Sequence, residues 1–344
     1  MLDWGDTRNG SPRHAERTAG LVVFLRSLTW ETLTMVRFLS AAMAICLTAT
    51  PTFAAETVKV FILAGQSNMQ GHGKVAAEPG SNDGKGSLEW LAKNSETAPR
   101  FKHLLGPDGS WVARKDVQIW YLDRKGDLTP DYGFREGFIG PELGFGQVVG
   151  DAFEDPVLLI KLAWGGKSLA KDFRPPSSGG EVGPYYHEVL KLTKQVLADA
   201  KSLFPQYGDR QLELVGFGWH QGWNDRVNQS HNDAYEQNMA NFIRDIRKDL
   251  DAPKLPFVIA ETGMSGRDET HPRALSLMKA QAAVAEREEF RGNVAFVGTK
   301  DFYRSREQSP SGQAYHWNSN AETYYLIGEG MGKAMLRLMP DRKP

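Results

Sequence analysis

Ser67 stands in Gly65-Gln-Ser-Asn-Met69, directly after the apolar run 58–63, Val-Lys-Val-Phe-Ile-Leu. A hydroxyl held in a tight turn at the carboxyl end of a buried strand is where an α/β enzyme presents a nucleophile, because ligands of open α/β sheets bind beyond those strand ends. The plainer reading is a strand-to-helix turn in which Ser67 or Asn68 caps the helix. Three further polar segments follow predicted strands. Gly165-Gly166 comes after Lys161-Leu-Ala-Trp164, Gln221 and Asp225 lie in Trp219-His-Gln-Gly-Trp-Asn-Asp225, and Tyr315-His-Trp-Asn318 precedes the last helical stretch.

Acyl transfer requires a nucleophile, a base that takes its proton, and donors aimed at the oxyanion of the tetrahedral intermediate. All three types of residue are present. A Gly-Gly turn can direct backbone N–H groups at an oxygen, and Gln221 offers a side-chain amide.

The elements that must position these groups are legible as apolar periodicity. Runs at 58–63, 156–162, 212–217, 256–260 and 294–297 read as buried strands. Helical recurrence fills 184–203, about 232–250 with Ser230 as a candidate N-cap, 273–288 and 322–338. Strands alternating with helices imply parallel pairing through right-handed crossovers. The simplest solution is an α/β, three-layer, flavodoxin-like fold with a five-stranded parallel sheet. A long segment at about 71–140, rich in Gly, Lys and aromatic residues including Trp90, Trp111, Trp120 and Tyr121, reads as an insertion without obvious structure. Its tryptophans either bury that segment against the domain or stack on sugar rings.

Within the 344 residues, 35–54 has the plan of a secretory signal, with a basic residue, an apolar run and small residues before a cut after Ala54. Residues 1–34 then read as a non-native or disordered upstream piece, with translation starting at Met35. The apolar run is too short and too interrupted by Thr and Pro for a membrane span. The expected product is an exported domain over 55–344, periplasmic or extracellular. Cys46 is the one cysteine and leaves with the signal, so the mature chain has no disulfide or cysteine metal site. With 41 basic against 42 acidic residues, nothing points to nucleic acid or an anionic membrane as partner. His187, His231 and His271 show no metal-ligand spacing, so neither metal nor cofactor is expected. His220 reads as a packed histidine, while His72 reads either as packed or as a substrate contact.

These residues resemble the SGNH hydrolase superfamily and, within it, the sialate O-acetylesterase-like and acetylxylan-esterase-like carbohydrate esterases. The resemblance covers most of the mature chain. It rests on Gly65-Gln-Ser-Asn-Met69, on Trp219 to Asp225, and on Gly140-Pro-Glu142 and Trp164-Gly-Gly-Lys-Ser168. It implies Ser67 as nucleophile and oxyanion donor, Gly166 or alternatively Gly165 as second donor, Gln221 as third, and His316 as base. Acetylated carbohydrate as the substrate is implied by the resemblance alone.

Two positions depart from that pattern. Gln313 stands where the family has an acidic residue three positions before its histidine, and Trp223 stands where glutamate is common. Either the Gln313 carbonyl orients His316, or Asp225, Asp301 or Glu322 reaches it from elsewhere, or the pair works as a dyad. Asp225 is otherwise a substrate contact, a brace or a surface-turn acid. The function expected is a secreted serine esterase removing acetyl groups, its base titrating near the ordinary histidine value of ~6.5. Rival readings are a lipase or acyltransferase on the same scaffold, and a carbohydrate-binding protein without turnover.

Overall fold

A computed structural model describes residues 57–339 of the chain. The expected signal segment 35–54, the residues before it and Cys46 lie outside the described residues. Nine strands occur in chain order: β1 (Thr57–Gly65), β2 (Gly73–Lys74), β3 (Arg114–Tyr121), β4 (Arg124–Leu128), β5 (Phe138–Ile139), β6 (Val157–Ala163), β7 (Gln211–His220), β8 (Phe257–Ala260) and β9 (Val294–Val297). Seven of them form one sheet in the order β4-β3-β6-β1-β7-β8-β9, parallel except for the edge strand β4. β2 and β5 pair separately as a short antiparallel ribbon.

The five expected strands are all present, and β6-β1-β7-β8-β9 is the flavodoxin-like order. The sheet has seven strands rather than five because β3 and β4 extend it beyond β6, out of the segment expected to be unstructured. Their sequences explain the difference. β3 opens with Arg114, Lys115 and Asp116 and buries only Val117 to Ile119 and Tyr121, while β4 is the charged stretch Arg-Lys-Gly-Asp-Leu. Charge on an edge strand protects it from pairing further and also hides it from a hydrophobicity reading. The hairpin turns through Leu122 at φ 54°, where a leucine gives no hairpin signal.

Alternation along β1 sends Phe61 and Leu63 to one face of the sheet and Val60 and Ile62 to the other. The first face packs on Phe145 of the helix Pro141–Ala152 and on Ile327 and Met331 of Ala321–Arg337. The second packs on Val189 of Pro184–Leu203, Phe242 of Tyr235–Asp249 and Leu277 of Pro272–Glu286. The stretch expected as one helix from about 232 is two, Gln229–Asp233 and Tyr235–Asp249, and Asn228 rather than Ser230 caps the first through His231 N. Trp90 and Trp111 of the inserted segment pack against the first core and Trp120 against the second.

Two close approaches fix the parts that carry the site. A methyl group on Gly65 would fall 2.2 Å from the His220 carbonyl oxygen, so only glycine lets β1 end tightly against β7. A methyl on Gly328 would fall 1.9 Å from the Pro141 carbonyl oxygen, which holds the helix Ala321–Arg337 against the start of Pro141–Ala152.

Candidate active site

Three strands end level. Gly65 of β1 registers with Ala163 of β6 and with His220 of β7, so the turns bearing Ser67, Gly165 and Gln221 leave one rim at the same height. The rim includes the β1/β7 boundary, where connections diverge to opposite faces and a crevice opens.

Ser67 is the first residue of a one-turn helix, Ser67–Gln70, and is half-buried. The N-cap position belongs to Gln66, whose side chain makes no capping bond, so capping does not account for Ser67. Being first in the helix, Ser67 has a backbone N–H with no intrahelical acceptor. Gly165 lies beside it: a methyl there would stand 3.9 Å from Ser67 Cβ and 2.9 Å from Gln70 Oε1. Gly166 has φ 72° and open space around it, and its carbonyl accepts from Asn224 Nδ2 at 2.7 Å.

Gln66 and Asp225 knit these turns together. Buried Gln66 accepts at Oε1 from Gly222 N (3.1 Å), Gln221 Nε2 (3.2 Å) and Asn224 N (3.3 Å). Asp225 is fully buried and accepts from Leu169 N (2.8 Å), Ala170 N (2.9 Å) and Gln221 Nε2 (2.6 Å). Burial pushes its carboxyl up to about 6, against these hydrogen bonds, which pull the other way. Asp225 is therefore a brace that draws the loop after Gly166 onto the loop after β7. Gln221 does not match its expected role as an open oxyanion donor. Its two amide protons already face Asp225, the Lys167 carbonyl at 3.0 Å and Gln66, because a buried carboxylate next to an amide captures it.

His316 reaches the same rim from the far end of the chain. It is followed by three consecutive non-glycine residues with left-handed backbone, Trp317 (φ 51°), Asn318 (55°) and Ser319 (56°). Such conformations are costly and persist only where surroundings over-determine them. Here Trp317 is fully buried, Asn318 Nδ2 donates to Arg304 O at 3.0 Å, and Asn320 caps the following helix through Thr323 N. The turn is tied to the serine by Asn68, whose Nδ2 donates to the Tyr315 carbonyl at 3.1 Å while its Oδ1 accepts from Tyr324 OH at 2.8 Å.

The partner of His316 Nδ1 is Gln313 Oε1, at 3.2 Å. An oxygen acceptor there places the proton on Nδ1 and leaves the lone pair on Nε2. The three carboxylates considered as distant partners are committed elsewhere: Asp225 as above, Asp301 to Arg267 on the surface, and Glu322 to Arg304 Nε at 2.7 Å. Burial lowers the His316 imidazole to about 4, well under the ordinary value expected from sequence. Among the described residues no carboxylate faces it to restore the charged form.

His72 lies flat on His316, with ring centroids 3.6 Å apart and planes 11° off parallel, and Phe134 covers its other face at 4.1 Å and 14°. His220 is fully buried and pushed down to about 4 by desolvation. Beneath the serine turn, Lys161 and Glu142 form a buried ion pair at 2.6 Å, and Lys161 Nζ also donates to the carbonyls of Gln70 (2.7 Å) and Tyr132 (2.6 Å). Burial lowers the ammonium to about 8 and raises the carboxyl, while mutual attraction opposes both.

On the solvent side, Tyr315 is 40% exposed, edges onto His316 at 4.5 Å and neighbours Trp223 at 5.7 Å. A concavity of about 740 Å³ opens at the other end of the strands, among Lys59, Glu213 and Pro256, and contains none of these groups. Among the described residues no group of three or more His, Cys, Asp and Glu side chains is placed to hold a metal ion.

The sequence suggested no role for Gln66, offered Asn68 only as a helix cap, and left His72 undecided. Gln66 and Asn68 flank the serine in the very motif that drew attention to it, so adjacency to Ser67 was the available signal. For His72 the signal was weaker, since its partner is 244 positions away along the chain.

The family model described as carbohydrate esterase, sialic acid-specific acetylesterase matches residues 57–337. No curated protein matches the chain. Among solved structures, a protein from Arabidopsis thaliana aligns with a TM-score of 0.53 at 18% identity, covering 81% of this chain and 98% of that one. That likeness speaks to fold alone. A carbohydrate acetylesterase from Xanthomonas citri aligns with a TM-score of 0.47 at 14% identity, covering 80% of this chain and 55% of that one.

Proposed function

This chain belongs to the carbohydrate esterase, sialic acid-specific acetylesterase family, and on that footing we propose that it is an exported serine esterase that removes O-acetyl groups from carbohydrate. The observation that carries the reading is the meeting of the serine turn and the histidine turn through Asn68 and Tyr315. In the proposed reaction His316 Nε2 takes the proton of Ser67, and the freed oxygen attacks the acetyl carbonyl. The oxyanion is held by the N–H of Ser67 and by an N–H of the Gly165–Gly166 turn, where Gly165 is the nearer to Ser67. His316 returns the proton to the departing sugar hydroxyl. A water molecule then repeats the attack, and acetate leaves with Ser67 restored.

The partly exposed rings of Tyr315 and Trp223, tilted 39° to each other, supply aromatic surface beside His316 on which the C–H face of a pyranose ring can pack. The signal-like segment 35–54 supports export. The reaction as drawn uses no metal or cofactor.

Acetate release from acetylated xylan oligosaccharides and from O-acetylated sialic acid tests the reading. Ser67→Ala and His316→Ala should each reduce release by on the order of 10⁴-fold without loss of folding. Full activity in either variant would overturn the assignment. The amide of Gln313, standing in place of a carboxylate, favours a second reading, a carbohydrate-binding protein without turnover. Binding of these glycans without acetate release by the native protein would establish that one instead.

A further inference from the structure

We propose that His72 is a positioning residue for His316, its flat neutral ring serving as the support against which the base is held where an orienting carboxylate is missing. The inference rests on the reading of His316 as the base. Its starting point is geometric. Phe134, His72 and His316 form a continuous pile of three near-parallel rings, with the base as the outermost member.

His72 is itself well fixed. It follows Gly71, where a methyl group would fall 2.0 Å from Gly140 Cα, and its backbone N–H faces the Tyr324 hydroxyl that also holds Asn68. Its Nε2 is buried with no hydrogen-bond partner among the described residues. What this side chain offers His316 is its face, laid 3.6 Å from the other ring and within 11° of parallel.

The groups facing His72 also decide its charge. His316, Lys161 and Arg135 all disfavour a proton on it, and with burial, the largest effect, they hold it neutral down to about pH 3. It therefore stays an uncharged π surface while His316 gains a proton during the reaction, and an imidazolium is attracted to such a surface. Gln313 orients the Nδ1 proton but brings no negative charge, which leaves this contact as the nearest support for the charged base. The stack also keeps water off one whole face of His316.

A purely structural role would affect stability and leave the pH profile alone. Steady-state kinetics on an aryl acetate between pH 3.5 and 9 separate the two possibilities, using the native enzyme, His72→Ala, His72→Phe and His316→Ala. In His72→Ala, kcat should fall about 10- to 100-fold with KM nearly unchanged. Its acid limb in kcat/KM should move upward from about 4 toward 6.5, because water reaching the ring relieves the burial that lowers His316 and outweighs the lost attraction of the His72 face. In His72→Phe, a flat ring of similar size, most of the loss should be recovered and the acid limb should return to its native position. If His72→Ala does not fold, His72→Leu, which fills the space without a flat face, takes its place. Unchanged kcat and acid limb in the folded Ala or Leu variant would overturn the proposal, as would a Phe variant as impaired as that one. Persistent activity in His316→Ala would instead overturn the identification of the base, so the two failures are distinguishable.

Discussion

The side-chain amide of Asn68 donates to the carbonyl of Tyr315 at 3.1 Å, joining the residue after the serine to the residue before the histidine across 247 positions of chain. Asn68 also accepts from Tyr324 OH, so one side chain locks both turns to the last helix.

Asn68→Ala removes this lock and leaves the buried Tyr324 O–H without its acceptor. Stability should drop by about 1–3 kcal/mol, read as a shift in the urea midpoint. Acetate release should fall by roughly 10²-fold, since a small misplacement of the reacting groups has that effect. Native kcat in a folded Asn68→Ala protein would show that other contacts align the turns.

The base should remain usable in acid. His316 is lowered to about 4, and it must be neutral to accept a proton, so kcat/KM should hold through pH 6.5 and decline only as pH falls through about 4. Gln313→Glu places a carboxylate against Nδ1 and favours the imidazolium, which should move that decline to higher pH. Superimposable profiles for the two proteins would contradict the contact between residues 313 and 316.

Asp225 should matter more to folding than its distance from solvent suggests. Asp225→Ala leaves the buried N–H groups of Leu169 and Ala170 without acceptors and should destabilise by about 3 kcal/mol or more, measured by urea denaturation at pH 7. A loss under about 0.5 kcal/mol would mean that the loop after Gly166 is held by other bonds.

Stability should fall on mild acidification, in part through His220. Its folded-state pKa is depressed from 6.5 to about 4, so its contribution is complete above the unfolded value and is lost as pH drops through the window between the two. Asp225, raised from 3.8 to about 6, has the opposite slope within the same window. Replacing His220 isolates its share: between pH 7 and pH 5, His220→Leu should lose about 2 kcal/mol less than the native protein. Equal losses would show that the buried ring titrates normally.

Much of the scaffold is written locally. The five strands of the parallel core are apolar runs bounded by turn residues, and burial on both faces requires that composition wherever the strand sits. β3 and β4 were not legible because an edge hairpin is kept polar, and its turn at Leu122 carries no glycine or asparagine. Within the candidate site, Ser67 and the Gly165–Gly166 turn were visible as turns that follow strands, a property of short range.

By itself, then, the sequence determined the parallel core, the serine turn at its rim and the kinship with carbohydrate esterases, since each of these is a pattern among neighbours in the chain. The tertiary structure decided the rest. It bound Gln221 to Asp225, gave Gln313 to His316, and laid His72 on His316. Those contacts arise where loops from different strands converge. Hydrogen-bond partners and desolvation there depend on distances between segments up to some 250 positions apart, which no local pattern encodes.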